Sequence, residues 1–236
     1  MIDIHCHILP FTDDGPRSWE ESLQMCELAA ADGITHIVAT PHCNARYPFD
    51  YEACSRKVDE LRARFSELQF SLGCEFNLSD EGLQRVAEHP EHYTIGQTSY
   101  ILVEVNEVYL PKQVESALGE VISCGLSPIL AHPERNPLLR RRFDLLEAWI
   151  EMGCLSAVTG NSFLGFWGAS VKKDAETMLR KGLVHFLVSD GHNTERRPPI
   201  LAEAVRAASG IAGSKRVHDM VWANPLSVVQ GAPVAA

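Results

Sequence analysis

The chain has 236 residues, 45% of them hydrophobic, and a formal net charge of −10 at pH 7. That length can bury a core of barrel dimensions, while the acidic balance disfavours a nucleic-acid surface, which needs clustered Lys and Arg. The start MIDIHCH lacks signal-peptide character, no apolar run approaches the roughly 20 residues of a membrane span, and seven scattered cysteines without a Cys-x-x-Cys pair suit a reduced, cytoplasmic setting.

Ile2 and Ile4 alternate with Asp3 and His5, the period of a strand. Residues two apart share a side, so His5 and His7 can meet on one ion, and the turn Asp13-Asp14-Gly15 can fold a carboxylate back towards them. Ser18-x-x-Glu21 predicts a capped helix to about Asp32, stopped by Gly33. His36–Thr40 reads as a buried strand ending at Pro41-His42. A helix follows over roughly Asp50–Leu68, then a strand Phe70–Cys74 that delivers Glu75 and a short helix near Ser79–Glu88. Tyr100–Val103 delivers Glu104, and Pro111 starts a helix that Gly125 ends.

Pro128–Ala131 delivers His132, and Asn136-Pro137 predicts the opening of a helix running to Gly153. The strand Leu155–Thr159 leads into Gly160-Asn161-Ser162. A helix from about Ser170 to Lys181 closes at Gly182, and the seventh strand, Val184–Ser189, delivers Asp190 and His192. Pro198-Pro199 opens a further helix, and a last one covers about Ser214–Trp222. The tail after Asn224-Pro225 ends in GAPVAA, which is expected to fray.

Strand and helix alternate seven times without a linker or repeat. The chain therefore reads as one parallel α/β domain over 1–236, a closed or nearly closed barrel, with a doubly wound open sheet as the alternative. No G-x-G-x-x-G follows the first strand, so nothing invites a dinucleotide.

Six of the seven strands end in His, Asp or Glu, and in α/β barrels those ends form the active-site face. With Asp14 the set is His5, His7, Asp14, His42, Glu75, Glu104, His132, Asp190 and His192. Nine donors exceed one tetrahedral zinc and lack the thiolates of a structural zinc site. Mixed nitrogen and oxygen ligands suit Mn²⁺, Fe²⁺ or Zn²⁺, with a carboxylate bridging ions. His36, His89, His92, His185 and His218 fall away from that face, and Arg140-Arg141-Arg142 reads as a solvated helix face. Arg135 and Arg197 lie just beyond ligands, where a planar guanidinium beside cations favours a phosphate-like anion.

The segments MIDIHCHILPFTDDG, GITHIVATPH, GCEF, YILVEV, PILAHPER and LVSDGHN followed by RRPP span nearly the whole chain. In them the sequence resembles the PHP (polymerase and histidinol phosphatase) superfamily, and within it the bacterial protein-tyrosine phosphatases of capsule and exopolysaccharide operons. The resemblance implies a distorted (β/α)₇ TIM-like barrel with three divalent ions, Mn²⁺ first, with Fe or Zn as alternatives. By that likeness His5, His7, Glu75 and Asp190 hold the first ion. Glu75 bridges to a second, held with Glu104 and His132, and Asp14, His42 and His192 hold the third. Arg135 and Arg197 match the phosphate-binding arginines, and the implied partner is a phosphotyrosine protein, a tyrosine autokinase.

Four carboxylates against three divalent ions leave such a site about two charges positive, which attracts phosphate. Two stretches depart from the family pattern: Val105-Asn106-Glu107-Val108-Tyr109, and the rim loop Cys43–Phe49. None of the seven cysteines has Arg at the Cys-x₅-Arg offset, so phosphotyrosine hydrolysis must be metal-based. The rival readings are a small-molecule phosphatase of the histidinol-phosphate type, an amidohydrolase, whose carboxylated-lysine kind needs a strand-end lysine that is not present here, and a metal-stabilised binding module without catalysis.

Overall fold

The computed structural model describes residues 1–105 and 109–234. Its strands are β1 (Ile2–Cys6), β2 (His36–Ala39), β3 (His42–Cys43), β4 (Gln69–Leu72), β5 (Glu75–Asn77), β6 (Tyr100–Glu104), β7 (Ser127–Ala131), β8 (Leu155–Thr159) and β9 (Phe186–Val188), all paired in parallel. These nine pieces make seven staves. The second stave is β2 continued by β3, and the third is β4 continued by β5. At Thr40-Pro41 the proline has no N–H to give the ladder, yet pairing carries across the break through Gly73 N–H to Ala39 O and Glu75 N–H to Pro41 O, both 2.9 Å.

The sheet closes between the first and last staves. Cys6 bridges Gly191, Asp190 N–H donates to His5 O at 2.9 Å, and His7 N–H donates to Gly191 O at 2.8 Å. Asp3, buried in β1, fastens the seam by accepting from Ser189 N–H and Oγ–H. The arrangement is the distorted seven-stave barrel, and the open-sheet alternative falls.

Period-two alternation sorts the strand residues into two packed sets. Ile4, Val38, Leu102, Ile129, Ala157 and Phe186 fill the interior. Ile37, Phe70, Ile101, Val103, Leu130, Val158 and Leu187 face outwards onto helices, among them α1 (Trp19–Ala31), which contributes Met25 and Ala29, and α2 (Tyr51–Arg64), which contributes Val58 and Leu61. Ser18 Oγ caps α1 by accepting from Glu21 N–H. The surrounding helices continue with α3 (Asp80–Glu88), α4 (Pro90–Tyr93), α5 (Pro111–Ser123), α6 (Phe143–Glu151), α7 (Gly160–Leu164), α8 (Ala169–Lys181), α9 (Ala202–Ala212) and α10 (Ser214–His218).

Three stretches differ from the sequence expectation. Asn136 does not open a helix: its Oδ1 caps a turn at Leu138 and Leu139, its Nδ2 donates to Val105 O, and α6 begins only at Phe143. The helix expected from Pro198-Pro199 begins at Ala202, and the one expected over Ser214–Trp222 is α10 followed by a π-helical turn, Asp219–Ala223. The chain then re-enters a helix, α11 (Asn224–Gln230), whose Val228 joins the interior set. Beyond it the Tyr100 hydroxyl donates to Ala232 O and accepts from Val234 N–H. Residues 106–108 of the departing stretch after Glu104 lie outside the described residues.

Two histidines left out of the site have structural partners. His36 Nε2 meets Ser71 Oγ at 2.9 Å, and His185 Nδ1 accepts from Ser156 N–H at 3.2 Å. Burial, helped by Arg62 at His36 and Arg216 at His185, lowers each to about 4. Their folded pKa lies below the unfolded value near 6.5, so the unfolded chain takes up protons first as pH falls. Stability from this source is complete above about pH 6.5 and is lost between there and about pH 4, by roughly 3 kcal/mol per histidine at most. In EDTA-treated protein the fall in Tm between pH 7 and pH 4.5 should shrink in the His36→Gln/His185→Asn variant, whose amides replace the bonding nitrogens but do not titrate there.

Candidate metal centre

The carboxyl ends of the staves open onto one basin, and all nine expected donors lie in it. His5 Nε2 and His7 Nε2 are 3.2 Å apart, and Asp190 Oδ1 is 3.5 Å from each. Glu75 stands at the middle: Oε1 is 3.5 Å from His5 Nε2 and 2.6 Å from His132 Nε2, and Oε2 is 3.3 Å from His7 Nε2. Glu104 Oε1 lies 3.9 Å from His132 Nε2. Across the basin Asp14 Oδ1 sits 3.3 Å from His42 Nε2 and 3.4 Å from His192 Nε2.

The local backbone is shaped to deliver these groups. His132 (φ 34°) and Asp190 (φ 52°) both sit in the left-handed region that non-glycine residues avoid, strain of the kind that gathers at functional sites. Two glycines permit close approaches. A Cβ on Gly15 would overlap the His7 carbonyl oxygen, and one on Gly191 would come within 2.8 Å of Pro199 Cα.

The donor set suits divalent cations. Atoms sharing one ion at bonds of about 2.1 Å lie about 3.0–3.4 Å apart, close to the spacings around His5, His7, Glu75 and Asp190. Glu75 Oε2 and His42 Nδ1 are 2.8 Å apart without hydrogen-bond geometry, and both are buried with no hydrogen-bond partner. Three groups of mutually close donors fall here: His7, Asp14, His42 and His192; His5, His7 and Glu75; and His42, Glu75 and Glu104. A fourth, His89, Glu91 and His92, lies apart at the α3–α4 junction.

Charge balance in the chain itself is tight. Burial would raise the Glu75 carboxyl, but the imidazoles of His5, His132 and His42 hold it well below the usual carboxylate range. Asp190 is held low against the same burial by Arg135, His5 and Arg197. Half-buried His42 is carried to about 11, against that desolvation, by Asp14 and Glu75, whereas burial and neighbouring His7 bring His192 down to about 4.

Arg135 Nη1 and Arg197 Nη2 both reach Asp190 Oδ2, at 2.7 and 2.5 Å. Beside Arg135 in the chain, the buried Glu134 carboxylate, whose Oε1 accepts from Thr159 N–H and from the Thr159 and Ser162 hydroxyls, adds to Asp190 in favouring the guanidinium charge. In the Arg140–Arg142 run, Arg140 pairs with Asp174 and Arg142 with Asp144, away from the basin.

Sequence reasoning stopped short of three residues. Asp13 belongs to the turn it singled out but was given no role of its own. Its Oδ2 accepts from His7 Nδ1 at 2.6 Å and from His42 N–H at 2.9 Å, fixing the His7 ring so that Nε2 faces the basin. Burial opposes the Asp13 charge, but protonated His7 wins and lowers its carboxyl to about 2. Asp13→Asn should weaken metal affinity about 10- to 100-fold, as read by chelator competition. Tyr47, from the rim loop, stacks on His42 at 5.7 Å between centroids. Trp167, after β8, carried no polar strand-end signal.

Fold and basin together define a parallel barrel whose carboxyl-end face gathers clustered candidate metal donors beside two arginines. The chain belongs to the capsular polysaccharide synthesis CpsB/CapC family, whose model matches residues 1–230. It is 34% identical over 202 residues to tyrosine-protein phosphatase YwqE of Bacillus subtilis, covering 84% of this chain and 79% of that one. It is 31% identical over 240 residues to tyrosine-protein phosphatase CpsB of Streptococcus agalactiae, covering 98% of each. A crystal structure from work on YwqE of Bacillus subtilis and CpsB of Streptococcus pneumoniae, described as metal-dependent tyrosine phosphatases, superposes with a TM-score of 0.93 at 31% identity, covering 100% of this chain and 96% of that one. Histidinol phosphate phosphatase from Lactococcus lactis, at 12% identity and a TM-score of 0.62 over 89% of this chain and 92% of that one, shares the fold.

Proposed function

We propose that this protein is a metal-dependent protein-tyrosine phosphatase acting in the cytoplasm on a phosphotyrosine protein, a tyrosine autokinase of capsule or exopolysaccharide synthesis. The observation that carries the reading is the gathering of nine candidate metal donors in one basin, where buried Asp190 faces His5 and His7 with one oxygen and both guanidiniums with the other. Three divalent cations, Mn²⁺ with Fe or Zn as alternatives, would be held by His5, His7, Glu75 and Asp190; by Glu75, Glu104 and His132; and by Asp14, His42 and His192. His7 and His42 also border neighbouring groups, so the three subsites share walls.

Bound cations supply an activated water and charge compensation at phosphoryl oxygens. The chain's own part is positioning. Asp13 orients His7, and Arg135 and Arg197, which rest on Asp190 in this structure, supply donors to the phosphoryl group. No strong general acid is required, because a phenol leaves with a pKa of about 10. Among the described residues no helix is long and apolar enough to cross a membrane.

The test is to measure metal content and turnover on one purified sample, with a phosphotyrosine peptide, p-nitrophenyl phosphate and histidinol phosphate side by side. Preferred cleavage of the peptide, lost on chelation and restored by Mn²⁺, is expected. Preference for histidinol phosphate would move the protein to the small-molecule class, and metal uptake without any turnover would make it a binding module.

A further inference from the structure

Trp167 donates to no metal group, yet it touches both arginines. The Arg135 and Arg197 guanidinium carbons lie 4.8 and 5.4 Å from its ring centroid. The three side chains come from consecutive staves: Arg135 after β7, Trp167 after β8 and Arg197 after β9. Stave β8 is the one whose end supplies no candidate ligand, and Trp167 is what its loop sends to the site.

The ring is held by its surroundings. Its indole N–H is buried with no hydrogen-bond partner, so no bond of its own dictates the orientation. Phe166 meets it edge-on at 4.8 Å and 86°. Gly165 (φ 84°) and Gly168 (φ 94°) bracket the aromatic pair, and the turn is closed by Gly168 N–H to Gly165 O at 2.9 Å and Phe166 N–H to Asn161 O at 3.1 Å.

Two guanidiniums converging on one carboxylate oxygen repel each other. A shared π face offsets part of that repulsion without using up an N–H donor. A phosphoryl group arriving at the arginines must compete with Asp190 for those donors. During that exchange the aromatic face is the contact that does not change partner.

We propose that Trp167 is a positioning residue that holds the Arg135 and Arg197 guanidiniums together for phosphoryl binding. This rests on the reading of those arginines as phosphoryl ligands. Removing the ring leaves each guanidinium to follow Asp190 or solvent, so affinity for the phosphoryl group falls more than the rate of the chemical step.

The experiment uses metal-loaded protein, with inorganic phosphate as competitive inhibitor and as titrant of tryptophan fluorescence. Wild type should show a fluorescence change on phosphate binding. Trp167→Phe, which keeps a smaller π face, should remove that change while raising the inhibition constant less than about threefold. Trp167→Ala should raise both KM and the phosphate inhibition constant about tenfold, with kcat falling less and metal content unchanged. Equal phosphate affinity in wild type and Trp167→Ala, or a fluorescence response that survives in Trp167→Phe, overturns the proposal alone. If Trp167→Ala does not fold, the fluorescence response of Trp167→Phe decides. Failure of phosphate to inhibit the wild type would instead remove the arginine assignment, and this proposal with it.

Discussion

Glu75→Gln protein, prepared with Mn²⁺, is expected to bind fewer cations than wild type and to hydrolyse phosphotyrosine about a thousandfold more slowly. Glu75 is 1% exposed, and its two oxygens face four imidazoles: His5, His7, His42 and His132. The amide keeps the shape and volume of the side chain but removes its charge and sets an N–H₂ donor against nitrogens poised to donate electrons. Taking one partner out of a buried ionic group costs roughly 3–5 kcal/mol, and about 4 kcal/mol corresponds to three powers of ten in rate. The check is metal analysis and kcat/KM on the same preparation, with circular dichroism to establish folding. Full metal content with activity within tenfold of wild type would take Glu75 out of the centre.

Single replacements Arg135→Ala and Arg197→Ala should each lower kcat/KM by about 100-fold or more with metal content preserved, the range seen when a preorganised donor to developing negative charge is lost. Both guanidiniums now sit on Asp190 Oδ2, so each deletion also leaves that carboxylate less compensated. Arg135→Lys should not rescue. A lysine brings a point charge and cannot both stack on Trp167 and present a planar fork. If both alanine variants stay within threefold of wild type on a phosphotyrosine peptide, the arginines are not phosphoryl ligands.

The barrel and the place of its donors were legible because both are local signals. Apolar runs such as Ile37–Ala39 and Leu102–Val103 mark buried strands, and a His or Glu at their carboxyl ends, as at His42 and Glu104, needs no knowledge of distant residues to be noticed. The continuations β3 and β5 were not anticipated, because the apolar runs stop at Pro41-His42 and at Cys74 and the pieces beyond them are too short to carry a period of their own. The start of α6 was misplaced because Asn136 spends its side chain on a turn and on Val105, a partner 31 residues away. Helix α11 was missed for a similar reason: its short apolar face has meaning only against Ile2 and Tyr100 at the far end of the barrel. Trp167 could not be found from its neighbours in sequence, since its partners hang from the two adjoining staves.

The positive φ of His132 and Asp190 has a mechanical meaning. Each residue stores conformational energy that its surroundings must keep in check, and both stand where cations would tie the chain down. When that tie is absent, Asp190, which closes the seam between the first and last staves through few backbone bonds, is the strained residue freest to relax. Amides at His7 and Asp190 should then exchange with deuterium sooner than those of β6 or β7, so the protein would begin to open at the same seam that carries its chemistry.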